Sequence, residues 1–173
     1  MNDFLSHVDV NDHPAMVDVG EKQVTHRHAL ACSDLIFPAE AAAMLHAAGL
    51  RSKKGPVIDT AIIAGTLAVK RTHELIPFCH ALLVDSIRFE CHFVEPTRLR
   101  IECAVATRGR TGVEMEAMVG ASVAALTVYD MCKSLSLHLR IESTQLLAKS
   151  GGKRDFSNSP SSAQDESAGR INR

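Results

Sequence analysis

From residue 87 the chain alternates. Ile87, Phe89, Cys91 and Phe93 are apolar, whereas Arg88, Glu90 and His92 are polar, the two-residue period of a strand with one face on a core. Glu95-Pro96-Thr97 reads as a turn, and Leu99, Ile101, Cys103 and Val105 then alternate with Arg98, Arg100 and Glu102, so the two runs predict a hairpin. Upstream, residues 24–37 read as a strand with poorer alternation. Pro38 opens a short alanine-rich helix that Gly49 stops. A basic loop, residues 51–56, leads into a second helix over 57–72, where Ile58, Ala61, Ile62 and Leu67 recur at spacings of threes, fours and fives. Thr111-Gly-Val-Glu114 has the spacing of a capping box, with the threonine serving the third helical N–H and the glutamate reaching back. It opens the longest helix, over 112–134, and a last strand covers 137–147.

The tight central hairpin makes the sheet at least partly antiparallel, and the interleaved helices then predict an α+β fold with helices on one face of that sheet. Residues 1–15 are polar and aperiodic and read as a flexible arm, and residues 16–153 as a single domain. From residue 154 the chain reads as a disordered tail, because Ser157 to Arg173 is rich in Ser, Asn, Asp and Gly with Ile171 as its one large apolar residue.

Composition narrows the function classes. With 173 residues, 46% apolar and 23% charged, the chain can bury a real core. A formal net charge of −1 argues against a basic nucleic-acid module, which needs a surplus of Lys and Arg for the phosphate backbone. No uninterrupted apolar run approaches the roughly 20 residues that span a bilayer, and the opening residues have no basic region followed by an apolar one. Five cysteines without a CxxC pair suit reduced thiols, so a cytoplasmic location is the expectation.

The long helix carries the most chemistry. Its middle, residues 117–125, is uncharged and rich in Gly120, Ala121, Ser122, Ala124 and Ala125, whereas a surface helix needs a polar face. One side would lie on the sheet and a second subunit would cover the other; a central helix within a monomer is the alternative. Glu114 and Glu116 mark its start and Asp130 and Lys133 its end. At ~1.5 Å per residue these ends lie about 21 Å apart, so no compact site uses both in one chain. An antiparallel twin across a two-fold axis would bring opposite ends together in two equivalent sites. Asp130 and Lys133 share a helical face. As a surface pair they would be worth under about 1 kcal/mol, but beside Tyr129, Met131 and Cys132 their pKa values could shift to suit proton transfer. Glu116 is two positions beyond Glu114 and cannot share a capping role.

Cys79 and His80 sit in an apolar loop, a weak metal signal without further ligands at recognisable spacing; His80 suits an acid–base role or a hydrogen bond to substrate better. Lys53-Lys54-Gly55-Pro56, before a helix start, and Lys149-Ser-Gly-Gly-Lys153, after the last strand, are plausible anion cradles. Neither is a P-loop.

Taken together, Met16-Val-Asp-Val19, Lys54-Gly55, Leu75-Ile-Pro-Phe-Cys-His80, Thr111-Gly-Val-Glu-Met-Glu-Ala117, Ala121-Ser-Val-Ala-Ala-Leu-Thr-Val-Tyr-Asp-Met-Cys-Lys133 and Leu147-Ala-Lys-Ser-Gly-Gly-Lys153 resemble the cyclic pyranopterin monophosphate synthases, the MoaC-type lyases of molybdenum cofactor biosynthesis. The segments occur in family order over residues 16–153. The resemblance implies a ferredoxin-like fold, assembled as a hexamer of three dimers with sites at subunit interfaces. It implies conversion of 3′,8-cyclo-7,8-dihydroguanosine triphosphate to cyclic pyranopterin monophosphate, with release of pyrophosphate. Carried over by motif, Asp130, Lys133, Lys54, His80 and Lys149 are the catalytic candidates, and Phe78, Cys79, His80, Glu114, Met115, Glu116 and Lys153 contact substrate. No metal, redox cofactor, nucleic acid or membrane is implied. Ala81 and Phe78 stand where the family pattern has a proline and a leucine, and Pro56 and Ile62 where it has an acid and a polar residue. Two other readings stay open: a non-catalytic nucleotide-binding module, and a metal-dependent hydrolase on Cys79, His80 and Cys132.

Overall fold

A computed structural model describes residues 13–158, so most of the expected arm and tail, residues 1–12 and 159–173, lie outside the described residues. In chain order the elements are β1 (Thr25–Ile36), α1 (Ala39–Ala47), β2 (Arg51–Ser52), β3 (Gly55–Pro56), α2 (Val57–Lys70), α3 (Thr72–Leu75), β4 (Ser86–Glu95), β5 (Arg98–Gly109), α4 (Glu114–Cys132), β6 (Arg140–Ser150) and β7 (Phe156–Ser157). Five strands form one sheet in the order β4-β5-β1-β6-β7, with every neighbouring pair antiparallel. Leaving aside the small β2–β3 hairpin, the long strands and the helices between them follow a β-α-β-β-α-β path with β1 at the centre. That is the ferredoxin-like arrangement.

The hairpin read from alternation is in place. Ile87 faces Val105, Phe89 faces Cys103, Cys91 faces Ile101 and Phe93 faces Leu99 across the β4–β5 ladder. These side chains join Ala29, Ala31 and Leu35 of β1 in two core clusters under the helices. On the opposite face Asp34 is completely buried and takes hydrogen bonds from Arg100 Nε (2.8 Å) and Nη2 (2.9 Å) and from Arg98 Nη1 (3.1 Å). Burial alone would raise its pKa, but the two guanidiniums outweigh that and hold the carboxyl below its usual range.

Three expectations are corrected. The capping box does not form: the helix starts at Glu114, so Val113, which has no side-chain acceptor, occupies the N-cap and Glu114 is the first helical residue and not the third; its carboxylate pairs with a lysine of β6. The last strand begins and ends three residues later than its pattern suggests, and the chain rejoins the sheet at Phe156–Ser157. Much of the other cover of α4 comes from this chain itself. α4 lies on β1, β5 and β6, and α2 packs along it. Close approach depends on glycine in both helices: a Cβ on Gly65 would lie 2.9 Å from the Gly120 carbonyl oxygen and 2.5 Å from Phe89 Cζ, and one on Gly120 would lie 2.6 Å from Val69 Cγ2. By length and composition α4 could cross a bilayer, but its packing between sheet and α2 accounts for its apolar character. An apolar strip stays uncovered, with Leu126 of α4 57% exposed and Ile63 and Leu67 of α2 63% and 51% exposed.

Candidate active site

Around the start of α4 the chain folds a cleft of about 490 Å³. Phe78, Cys79 and His80 enter it from the loop after α3. Glu114, Met115 and Glu116 enter from the first turn of α4, and Lys153 from the β6–β7 loop. All seven expected substrate contacts therefore line one space. Their supports are local. Pro77 follows α3 without continuing it, Cys79 N–H donates to the Ile76 carbonyl (3.1 Å), and the loop is tied to β5 by Asp85 N–H on the Ala106 carbonyl (3.0 Å) and by Thr107 Oγ1 on the Leu83 carbonyl. Two acidic residues in a first turn also complement the helix dipole.

The two carboxylates differ. Glu116 is 4% exposed, and burial pushes its pKa up, with the negative charge of Glu114 adding to the rise and the charge of His73 opposing it. Glu114 is more open and accepts an ion-pair hydrogen bond from Lys149 Nζ at 3.0 Å. Lys149 is placed by the β1–β6 ladder, where it pairs with Ala29. Burial also raises the Cys79 thiol, with a contribution from Glu116, so the thiol stays protonated at neutral pH.

A second cluster stands at the other end of α4. The β2–β3 turn aims Lys54 at Asp130, with Nζ 2.6 Å from Oδ2 and 3.0 Å from the Asp130 carbonyl, while Lys133 Nζ lies 2.9 Å from Oδ1. The hydrogen bond from Lys54, then that from Lys133, holds the Asp130 carboxyl down at about 2, and Asp130 raises Lys133 in turn. The expected shifts toward proton-transfer values are therefore absent: each pKa moves away from neutrality. The cause is placement, because Met131 and Cys132 turn into the core while Asp130, Lys133 and Lys54 are about half exposed. Fourteen helical steps take the chain from Glu116 to Asp130, about 21 Å. The structure brings Lys54, Asp130 and Lys133 together, and it brings the cleft residues and Lys149 together. It does not join the two groups within one chain.

The MoaC family model matches residues 16–152, a span that holds both clusters except Lys153. The chain belongs to the MoaC family. It is 61% identical over 152 residues to a cyclic pyranopterin monophosphate synthase of Xanthomonas campestris pv. campestris, covering 88% of this chain and 92% of that protein. It is 44% identical over 153 residues to a cyclic pyranopterin monophosphate synthase of Brevibacillus brevis, covering 88% and 94%. With a molybdenum cofactor biosynthesis bifunctional protein of Synechocystis it shares 47% identity over 161 residues, 91% of this chain and 46% of the larger protein.

In this MoaC chain the cleft has further walls beyond the expected substrate contacts. Lys22, Val17, Val19, Leu82 and Thr111 line it as well. Lys22 lies in a polar, aperiodic stretch before β1, where no pattern marks it; only its nearness to Met16-Val-Asp-Val19 hints at a role. The metal-hydrolase reading loses its ligand set. Cys132 is fully buried in the core with Val128 and Leu139, at the opposite end of α4 from Cys79 and His80. Among the described residues no group of three His, Cys, Asp or Glu side chains is placed to hold a metal ion.

Proposed function

We propose that this MoaC chain is a cyclic pyranopterin monophosphate synthase whose working site forms between two chains. One chain supplies the cleft at the start of its α4, and its twin supplies Lys54, Asp130 and Lys133. The observation that carries this reading is the split itself: two clusters of acids and amines toward opposite ends of one apolar helix, about 21 Å apart. The uncovered strip of Ile63, Leu67 and Leu126 supplies apolar surface for such a pairing. Three such dimers in a hexamer are the form that the family resemblance implies.

The substrate on this reading is 3′,8-cyclo-7,8-dihydroguanosine triphosphate. Its imidazole-derived ring must open, a pterin ring must close, and a cyclic phosphate must form as pyrophosphate leaves. Ring opening and closure need several proton transfers. Lys133 and Asp130, helped by Lys54, exchange protons with the rearranging heterocycle, and the ion pairs of Asp130 with Lys54 and Lys133 hold the three side chains together for that task. Glu114 and Glu116 orient the amino and N–H edges of the base. His80 and Lys149, with Lys153 at the cleft wall, hold phosphate oxygens and stabilise charge on the departing pyrophosphate. Lys149 is held by Glu114 in the free protein, so phosphate binding exchanges one anionic partner for another. The enzyme acts in the cytoplasm on a small nucleotide-derived molecule.

The test is pyranopterin formation from the cyclised nucleotide by purified protein, with wild type and Lys133→Ala side by side. The wild type turns over, and Lys133→Ala loses about 10²–10⁴-fold in kcat with an unchanged circular dichroism spectrum. Full activity in Lys133→Ala would overturn the role of Lys133. Tight binding of a guanosine triphosphate analogue by a wild type without turnover would make the chain a binding module.

A further inference from the structure

Gly151 opens the loop between β6 and β7, with Lys149 two residues before it in β6 and Lys153 two residues after it in the loop. Lys149 is held by the ladders on both sides of β6 and reaches Glu114, whereas Lys153 lines the cleft from outside the sheet, so the path of this short loop decides where the Lys153 ammonium stands. Ladder pairing ends at His28–Ser150 on one side and Lys149–Phe156 on the other, which leaves residues 151–155 outside the sheet. A loop of this kind, with two glycines and no ladder bonds, would otherwise be free to move.

Gly151 is nevertheless held at three points. It has φ +84°, and a Cβ there would lie 1.7 Å from the His26 carbonyl oxygen, so its backbone lies directly on β1 in a way only glycine permits. Its carbonyl accepts a hydrogen bond from Thr25 Oγ1 at 2.8 Å. Its N–H donates to Asp155 Oδ1 at 3.1 Å. Both polar backbone atoms are thus taken by side chains, one from the first residue of β1 and one from the far side of the loop. Neither Thr25 nor Asp155 lines the cleft.

We infer that Thr25 and Asp155 are positioning residues for the phosphate-binding Lys153, clamping the C=O and N–H of Gly151 so that Lys153 is aimed before substrate arrives. The inference rests on the proposed role of Lys153 toward phosphate. Preorganising a loop lowers the ordering cost of binding, so the clamp acts on affinity and leaves the chemical step largely alone. Thr25→Val keeps the side-chain shape and removes the hydroxyl, and Thr25→Ser restores it. Asp155→Ala removes the acceptor oxygen, and Asp155→Asn retains one.

The experiment measures KM for the cyclised nucleotide, kcat, inhibition by pyrophosphate, and amide hydrogen exchange over residues 151–153. Thr25→Val and Asp155→Ala each raise KM and the pyrophosphate inhibition constant about three- to tenfold, the range covered by one lost hydrogen bond, with kcat within about twofold. Exchange at these amides quickens, and Thr25→Ser and Asp155→Asn return all three readouts toward wild type. In a Lys153→Ala background Thr25→Val adds less than about twofold, because both changes act through the same group. If Lys153→Ala leaves KM and pyrophosphate inhibition unchanged, the phosphate role of Lys153 is wrong and the inference falls with it. If Lys153→Ala weakens both while Thr25→Val and Asp155→Ala do not, the clamp alone is refuted. A fall in kcat at constant KM, or losses that Thr25→Ser and Asp155→Asn share, refutes it as well.

Discussion

Mixing two inactive variants tests whether each site is shared between chains. Glu116→Ala damages the cleft end of α4 and Asp130→Ala the lysine end, and about 21 Å of helix separates the two lesions. In an isologous pair each site takes its cleft from one chain and its Lys54-Asp130-Lys133 cluster from the other. Random exchange makes half of the dimers mixed. In a mixed dimer one site inherits both lesions and the other inherits neither, so about one quarter of all sites become wild type. The two variants are unfolded together in denaturant at equal concentration, refolded, and assayed for pyranopterin formation against each variant refolded alone. The mixture should recover about a quarter of the activity of refolded wild type, on a near-zero background. Activity no greater than the mean of the separate variants, with exchange verified by mass-tagged chains, refutes the shared site. A recovery near one half is also incompatible, because it requires both sites of a mixed dimer to work. The outcome does not depend on which residue donates which proton.

Two further expectations concern stability. Burial raises the Glu116 pKa, so above its ordinary 4.5 the folded chain keeps a proton that the unfolded chain has lost, and stability falls as pH rises until the raised value is passed; Glu116→Gln should flatten that slope and raise the Tm at pH 7 by about 2–4 °C for each kcal/mol relieved, as followed by thermal melts from pH 4 to 8. Asp34→Ala should cost about 3 kcal/mol in denaturant unfolding, the lower end of the cost of breaking a buried pair, because Arg98 and Arg100 keep about 30% of their side-chain surface in water; the wild type should also lose stability as pH falls below the ordinary carboxylate range, and unchanged unfolding would place the pair among contacts that contribute nothing.

The parts of the fold legible in the sequence are those where one residue's surroundings repeat. Each strand of the β4–β5 hairpin has one face on the core, so burial recurs every second residue and the pattern gives both strands and their pairing. The capping box fails for a reason that local spacing cannot contain. The helix begins at Glu114 itself, and that residue's carboxylate pairs with Lys149, 35 residues away on β6. The cover of α4 is hidden for a similar reason. Gly65 reads as an ordinary weak point in a helical pattern, and only the fold shows that it lies against Gly120 and admits α2. In the candidate site, residues within continuous motifs were legible. Lys22 was not, because its place in the cleft comes from the course of residues 17–22 across another part of the chain.

Charge gives the split site a physical rationale. The chain carries a formal net charge of −1, so it has no general attraction for polyanions, and any affinity for a triphosphate has to be concentrated locally. At the cleft, Lys22, Lys149 and Lys153 face Glu114 and Glu116, and at the other end Lys54 and Lys133 face Asp130. Each cluster alone therefore leaves about one unpaired positive charge, enough to hold its own carboxylates but a weak match for a substrate with several negative charges. Joined across a two-fold axis, five ammonium groups meet three carboxylates, and protonation of the buried Glu116 would widen the difference. On the proposed arrangement the protein acquires its phosphate affinity and its proton-transfer groups in the same step, when two chains meet. A separated chain would then be deficient in binding as well as in chemistry, which is why the apolar strip along α2 and α4 belongs to the function and not only to the packing.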